Sequence, residues 1–148
     1  GSGDMQDALI KQASDLGYHN IQFVGMVPHA EVNRYYDEAD IFVLPSVREC
    51  GGAVVLEAMA RGLPVIATNW GGPQDYITAD TGFLVDPISR DYMIKEFARL
   101  IDMLAVNPTL RYQMGQASIQ RVKQHFMWGE KIKTIIGYYQ YAIQSARL

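Results

Sequence analysis

The chain has 148 residues, 49% of them hydrophobic, and a formal net charge of −3. That length suffices to bury one core. The charge gives no basic stripe for a nucleic-acid surface, and no apolar run approaches the ~18 residues of a membrane span. A single cysteine, Cys50, excludes an intrachain disulfide and a multi-cysteine metal cage. No secretory leader opens the sequence, so a reduced, cytoplasmic domain is the plain expectation.

The opening Gly1-Ser2-Gly3 reads either as a cloning remnant or as a native glycine turn that follows a strand. Asp4 is a good N-cap, and Leu9, Ala13 and Leu16 recur at helical spacing before Gly17. Ile21 to Val27 reads as a short buried strand ended by Pro28. Val32, Tyr35, Tyr36 and Ala39 mark one face of a helix. Ile41 to Leu44 is an apolar run that suits a strand buried on both faces of a parallel sheet. Ala53 to Arg61 reads as a helix, Val65 to Thr68 as a strand, Gly71-Gly72-Pro73 as a loop and Gly82 to Val85 as a last strand. From Ser89 onward the chain reads as three helices, marked by Met93, Phe97, Leu100 and Leu104, then by Leu110, Met114 and Ala117, then by Ile132, Ile135, Ile136, Tyr139 and Ile143.

Strands separated by helices imply right-handed crossovers and a parallel sheet. The expected fold class is therefore α/β, Rossmann-like, with a helical C-terminal extension over 89–148. Ligands bind such sheets at the carboxyl ends of the strands. Functional residues are expected just after Val27, Leu44, Thr68 and Val85.

The segment after the second of these strands carries the chemistry. Gly51 and Gly52 stand between a strand end and a helix start, and leave the backbone open to a ligand. The helix beyond them offers unpaired N–H groups and the positive end of its dipole, a ready site for a diphosphate. Glu57, one turn into that helix, has only apolar sequence neighbours from Val54 to Met59. Burial of its carboxylate would cost several kcal/mol unless donors reached it. Vicinal ribose hydroxyls would serve, and a lysine, an arginine or a backbone amide would serve equally well. Glu49, in the loop before the helix, reads either as a hydroxyl acceptor or as an ordinary acid at a helix start.

The run Glu49-Cys50-Gly51-Gly52-Ala53-Val54-Val55-Leu56-Glu57-Ala58-Met59-Ala60 resembles the signature of glycosyltransferase family 4, two glutamates separated by seven residues and followed by Ala-Met-Ala. Phe23 to Val27, Tyr35 to Ser46, Gly62 to Thr68, Gly71-Gly72-Pro73, Thr81 to Val85 and Phe126-Met127-Trp128 follow in that family's order. The resemblance covers nearly the whole chain. It implies the C-terminal, donor-binding domain of a retaining enzyme of GT-B fold, whose donor is a UDP- or GDP-linked sugar and which generally needs no bound metal. By the same resemblance Glu49 contacts hydroxyls of the transferred sugar, orienting it without acting as a nucleophile. Gly51, Gly52 and Ala53 offer amides to that sugar, Val54 offers one to the diphosphate, Glu57 holds the ribose, and Met26 and Val27 lie beside the base.

Three departures from the family pattern stand out. Gly51 replaces a frequent aromatic residue, and Asp75 replaces a usual glutamate. The resemblance also starts at the glycine turn after the domain's second strand. Two strands, a helix, the Arg/Lys pair that neutralises the diphosphate and the acceptor-binding domain are thus expected upstream of residue 1. On that reading the 148 residues are one donor-domain fragment, inactive alone, with a bare sheet edge open to pairing with another chain, and the full enzyme is compatible with a peripheral membrane association. Phosphorylases or epimerases of the same architecture, and a non-catalytic nucleotide-sugar-binding or interaction module, are the competing classes. His19, His29 and His125 are scattered and suggest no metal site, Cys50 reads as a small spacer, and Arg48 as a solvated loop residue.

Overall fold

The computed structural model describes residues 2–145. The chain divides into two compact units, Gly1–Asp37 and Glu38–Leu148, each described by itself.

The first unit holds α1 (Gln6–Asp15) and all but the last residue of α2 (His29–Glu38). Gly1 lies outside the described residues, and the Gly3 carbonyl accepts a turn hydrogen bond from the Gln6 amide at 3.0 Å. The N-cap of α1 is Met5 and not Asp4, and its side chain makes no capping bond. The stripe expected to be buried is largely open: Ala13 is buried, whereas Leu9 and Leu16 are exposed. The expected strand Ile21–Val27 does not form, and the segment has no ladder partner among the described residues. An apolar run becomes a strand only where a neighbour satisfies its N–H and C=O groups. Here Ile21, Phe23, Val24 and Met26 remain exposed.

The second unit is built on three parallel strands in the order β1 (Phe42–Leu44), β2 (Val65–Thr68), β3 (Gly82–Val85). Phe42 stands opposite Val65, and Thr68 opposite Val85. The helices are α3 (Ala53–Ala60), the one-turn α4 (Pro73–Tyr76), α5 (Arg90–Ala105), α6 (Pro108–His125) and α7 (Trp128–Ser145). The expected Gly71-Gly72-Pro73 loop thus runs into α4, where proline at the first helical position costs no hydrogen bond.

β2 is central and wholly buried. β1 is half-buried rather than closed on both faces, because it is an edge strand of the sheet. Side chains alternate along β2, so Ile66 and Thr68 share one face. Ile66 joins Val85, Phe97, Leu100, Leu104 and Met114 in the main cluster. Each such side chain contributes about 1.5–3 kcal/mol by leaving water. α3 buries Val55, Ala58 and Met59.

Local chemistry fixes the helix ends. The Ser89 hydroxyl accepts the Tyr92 amide at the start of α5, and Asn107 does the same for Leu110 at the start of α6. Arg111 donates to the Leu104 and Ala105 carbonyls at 2.7 and 2.8 Å, which closes the far end of α5. α7 has no buried residue among those described, so its stripe of Ile132, Ile135, Ile136, Tyr139 and Ile143 faces solvent.

Candidate donor site at the start of α3

Parallel strands present all their carboxyl ends on one side, and the loops that leave β1, β2 and β3 meet there. The loop 45–52 leads into α3. Asn69-Trp70-Gly71-Gly72 leads from β2 into α4. Asp86-Pro87 leaves β3. Asn69 joins the last two strand ends: its amide donates to the Val85 carbonyl at 2.8 Å and its side chain to Asp86 Oδ1 at 2.6 Å.

Gly52 is the N-cap of α3, in the left-handed region at φ 61° and ψ 40°. A side chain there would be strained, and its Cβ would sit 3.1 Å from Pro73 Cδ and 3.3 Å from Glu49 Cγ. The turn brings the Gly52 amide onto Glu49 Oε1 at 2.8 Å. Glu49 is therefore half-buried at the positive end of α3, where a carboxylate gains about 0.3–1 kcal/mol from the dipole. Glu49 is thus an acid at a helix start, and that same bond fixes its carboxylate beside the first turn of α3.

The glycine pair after β2 clamps this loop. The Gly72 amide donates to the Cys50 carbonyl at 3.0 Å. Gly72 is buried, and a Cβ on it would collide with the Gly51 carbonyl oxygen. Pro73, fully buried, packs its ring against Gly52.

The sequence-derived site residues of this unit therefore come together. Glu49, Gly51, Gly52, Ala53, Val54 and Glu57 lie along one loop and the first turn and a half of α3. The Gly52 N–H is already engaged by Glu49. The N–H groups of Ala53 and Val54, the first two of the helix, make no hydrogen bond among the described residues, and both residues are exposed.

Glu57 is not embedded among aliphatic side chains, as its sequence neighbours suggested. The helix turns Val55, Ala58 and Met59 inward, while Glu57 is half-buried on the outer stripe with Ala53, Val54 and Arg61. It also has an interaction within the chain.

Met26 and Val27 belong to the first unit, where Met26 is exposed and Val27 half-buried. Cys50 and Arg48 are exposed in the loop. An apolar groove of about 790 Å³ lies between β1 and α5, beside the loop 45–52, where Val43, Val47, Met93 and Phe97 line it together with Ser89 and Arg90.

Residues 1–121 match the family described as "Glycosyl transferases group 1". The chain belongs to this family. A solved structure of sucrose-phosphate synthase from Thermosynechococcus elongatus superposes on 97% of the chain with a TM-score of 0.76 and 30% identity. The fold is thus the expected α/β one of GT-B glycosyltransferases, with its helical extension. An uncharacterised glycosyltransferase of Methanocaldococcus jannaschii is 32% identical over 146 residues, which is 97% of this chain and 36% of that protein. A GDP-mannose-dependent monoacylated alpha-(1-6)-phosphatidylinositol monomannoside mannosyltransferase of Corynebacterium glutamicum is 31% identical over 146 residues, 92% of this chain and 37% of that protein. The chain spans 35% of the synthase structure, about a third as with these relatives.

Asn69, Asp86 and Arg121 were not singled out in the sequence. Asp86 was visible only as a turn residue before Pro87. Asn69 carried one cue, its place just ahead of the second glycine pair.

Proposed function

We propose that the chain is the donor-binding part of a retaining glycosyltransferase that moves a sugar from a UDP- or GDP-linked donor to an acceptor hydroxyl. The observation that carries this reading is the order of groups along α3. Glu49 stands before the helix, the unbonded Ala53 and Val54 amides open it, and Glu57 follows on the same outer stripe one turn on, about 5 Å along the axis. A nucleoside-diphosphate sugar presents its groups in that sequence: sugar, diphosphate, ribose. The likeness to a GDP-mannose-dependent transferase supports the donor class.

In this mechanism the bond from the anomeric carbon to the diphosphate breaks, and the leaving oxygen takes the electron pair. The acceptor oxygen bonds to the same face of the carbon, and its proton passes to the departing diphosphate oxygen. The Ala53 and Val54 amides and the α3 dipole meet the charge that grows on the diphosphate. Glu49, held by the Gly52 amide, accepts from hydroxyls of the sugar and orients it. No metal or other cofactor enters this scheme. An acceptor-binding domain elsewhere in a longer polypeptide, a strand paired on the bare edge of β1, a cytoplasmic location and a peripheral membrane association belong to the same proposal.

Calorimetric titration of UDP and GDP into the longest native polypeptide carrying this chain tests it. One of the two nucleotides is expected to bind, and Glu57→Ala to weaken that binding roughly tenfold to a hundredfold, the worth of hydrogen bonds to a charged acceptor. Binding of neither nucleotide, or an unchanged affinity in Glu57→Ala, would refute the reading.

A further inference from the structure

We infer that Arg121, on α6, is a positioning residue for the start of α3. Its guanidinium donates through Nε to the Tyr76 carbonyl at 2.5 Å and through Nη2 to the Asp75 carbonyl at 2.8 Å. These are the last two residues of α4. A single turn has too few internal bonds to hold itself. Its Gly72 cap offers no side-chain hydrogen bond, so α4 depends on contacts from outside.

Arg121 supplies the one at its carboxyl end, and Phe126 reinforces it. The Phe126 ring meets Tyr76 edge-on at 5.2 Å and 78° between planes, and the Arg121 guanidinium lies 5.6 Å from the Phe126 centroid. The Tyr76 hydroxyl in turn reaches back along α4, to 3.0 Å from the position a Cβ on Gly72 would take.

The opposite end of α4 touches the site. Gly72 donates to the Cys50 carbonyl, Pro73 covers Gly52, and Gly52 donates to Glu49. Arg121 thus fixes α4 from behind, α4 fixes the Glu49–Gly52 turn, and that turn aims the Glu49 carboxylate. All of these residues lie in the second unit. A lysine cannot replace the arginine, because a single ammonium does not present the planar fork that spans two carbonyls. The mechanical link stands on these hydrogen bonds and packing contacts. Its consequence for the donor sugar rests on the function proposed above.

The experiment compares wild type with Arg121→Lys, and with Arg121→Gln as a second variant, in the same native polypeptide. Amide hydrogen exchange at Gly72 and Gly52 is expected to accelerate about tenfold or more in Arg121→Lys, while Ile66 and Ala67 in β2 keep their protection. UDP-glucose against UDP, and GDP-mannose against GDP, supply the second readout. The sugar-dependent part of the affinity is expected to fall about tenfold, with the bare nucleotide bound within about twofold of wild type. Unchanged exchange at Gly72 and Gly52 in both variants overturns the inference. Protection lost equally throughout β2 in both also overturns it, since that assigns Arg121 to general support of the fold. A wild-type protein that binds neither nucleotide refutes the donor reading and leaves the exchange result to decide the mechanical link.

Discussion

Gly72→Ala is expected to lower stability by about 3 kcal/mol, the upper range for overpacking a closed site. For a chain of this size that is roughly 6–12 °C in Tm. The glycine is not required by its backbone angles, since φ −52° and ψ −38° suit any residue. It is required by space. A Cβ would overlap the Gly51 carbonyl oxygen and press on the Tyr76 hydroxyl. A side-chain neighbour could rotate away, but a carbonyl in a turn clamped by the Gly72–Cys50 bond cannot. The substitution must push the two glycine loops apart. Gly51→Ala is the control: its Cβ would meet nothing within 4 Å, and its expected change is below about 0.5 kcal/mol. Thermal melts of the pair check this, and equal Tm values for the two variants would show that the loops are not in contact.

Leu104→Ala is expected to cost about 3 kcal/mol for a different reason. Leu104 has no exposed surface and sits in the cluster of Ile66, Val85, Phe97, Leu100 and Met114. Its truncation removes apolar atoms from that cluster and leaves a cavity. The rigid sheet on one side and the α5–α6 pair limit how far neighbours can collapse into it. Val106, two residues on, is 82% exposed, so Val106→Ala should change stability by less than about 0.5 kcal/mol. Urea unfolding of both variants reads the difference directly. A Leu104→Ala protein with a wild-type midpoint would place the core elsewhere.

The parts legible in the sequence were those decided by local periodicity. Val65–Thr68 and Gly82–Val85 form the strands their apolar runs implied, and α5 is capped by Ser89, whose hydroxyl is a strong capping group. What misled was pattern without a partner. Ile21–Val27 has the composition of a buried strand, yet among the described residues no strand pairs with it. The apolar stripe of α7 has helical spacing, yet no described residue of it is buried.

Glu57 shows a different failure. Its sequence neighbours are aliphatic, but a helix sends adjacent residues to different faces, so the acid emerges on the outer stripe while Val55, Ala58 and Met59 go inward. The site's frame was the least legible part. Arg121 reaches backbone carbonyls 45 and 46 positions away, and a backbone carbonyl leaves no mark in the sequence. The Glu49–Gly52 bond was half visible, because an acid three residues ahead of a helix cap is a local pattern.

The most direct test of the proposed donor site is where a nucleotide sugar touches the backbone. Backbone amide NMR shifts, followed while UDP-glucose or GDP-mannose is added, should move first and furthest at Ala53 and Val54, with Gly51 and Gly52 next and Leu104 and Val122 still. Saturable shifts centred on residues of another element, with Ala53 and Val54 unmoved, would contradict a diphosphate seated on the first turn of α3.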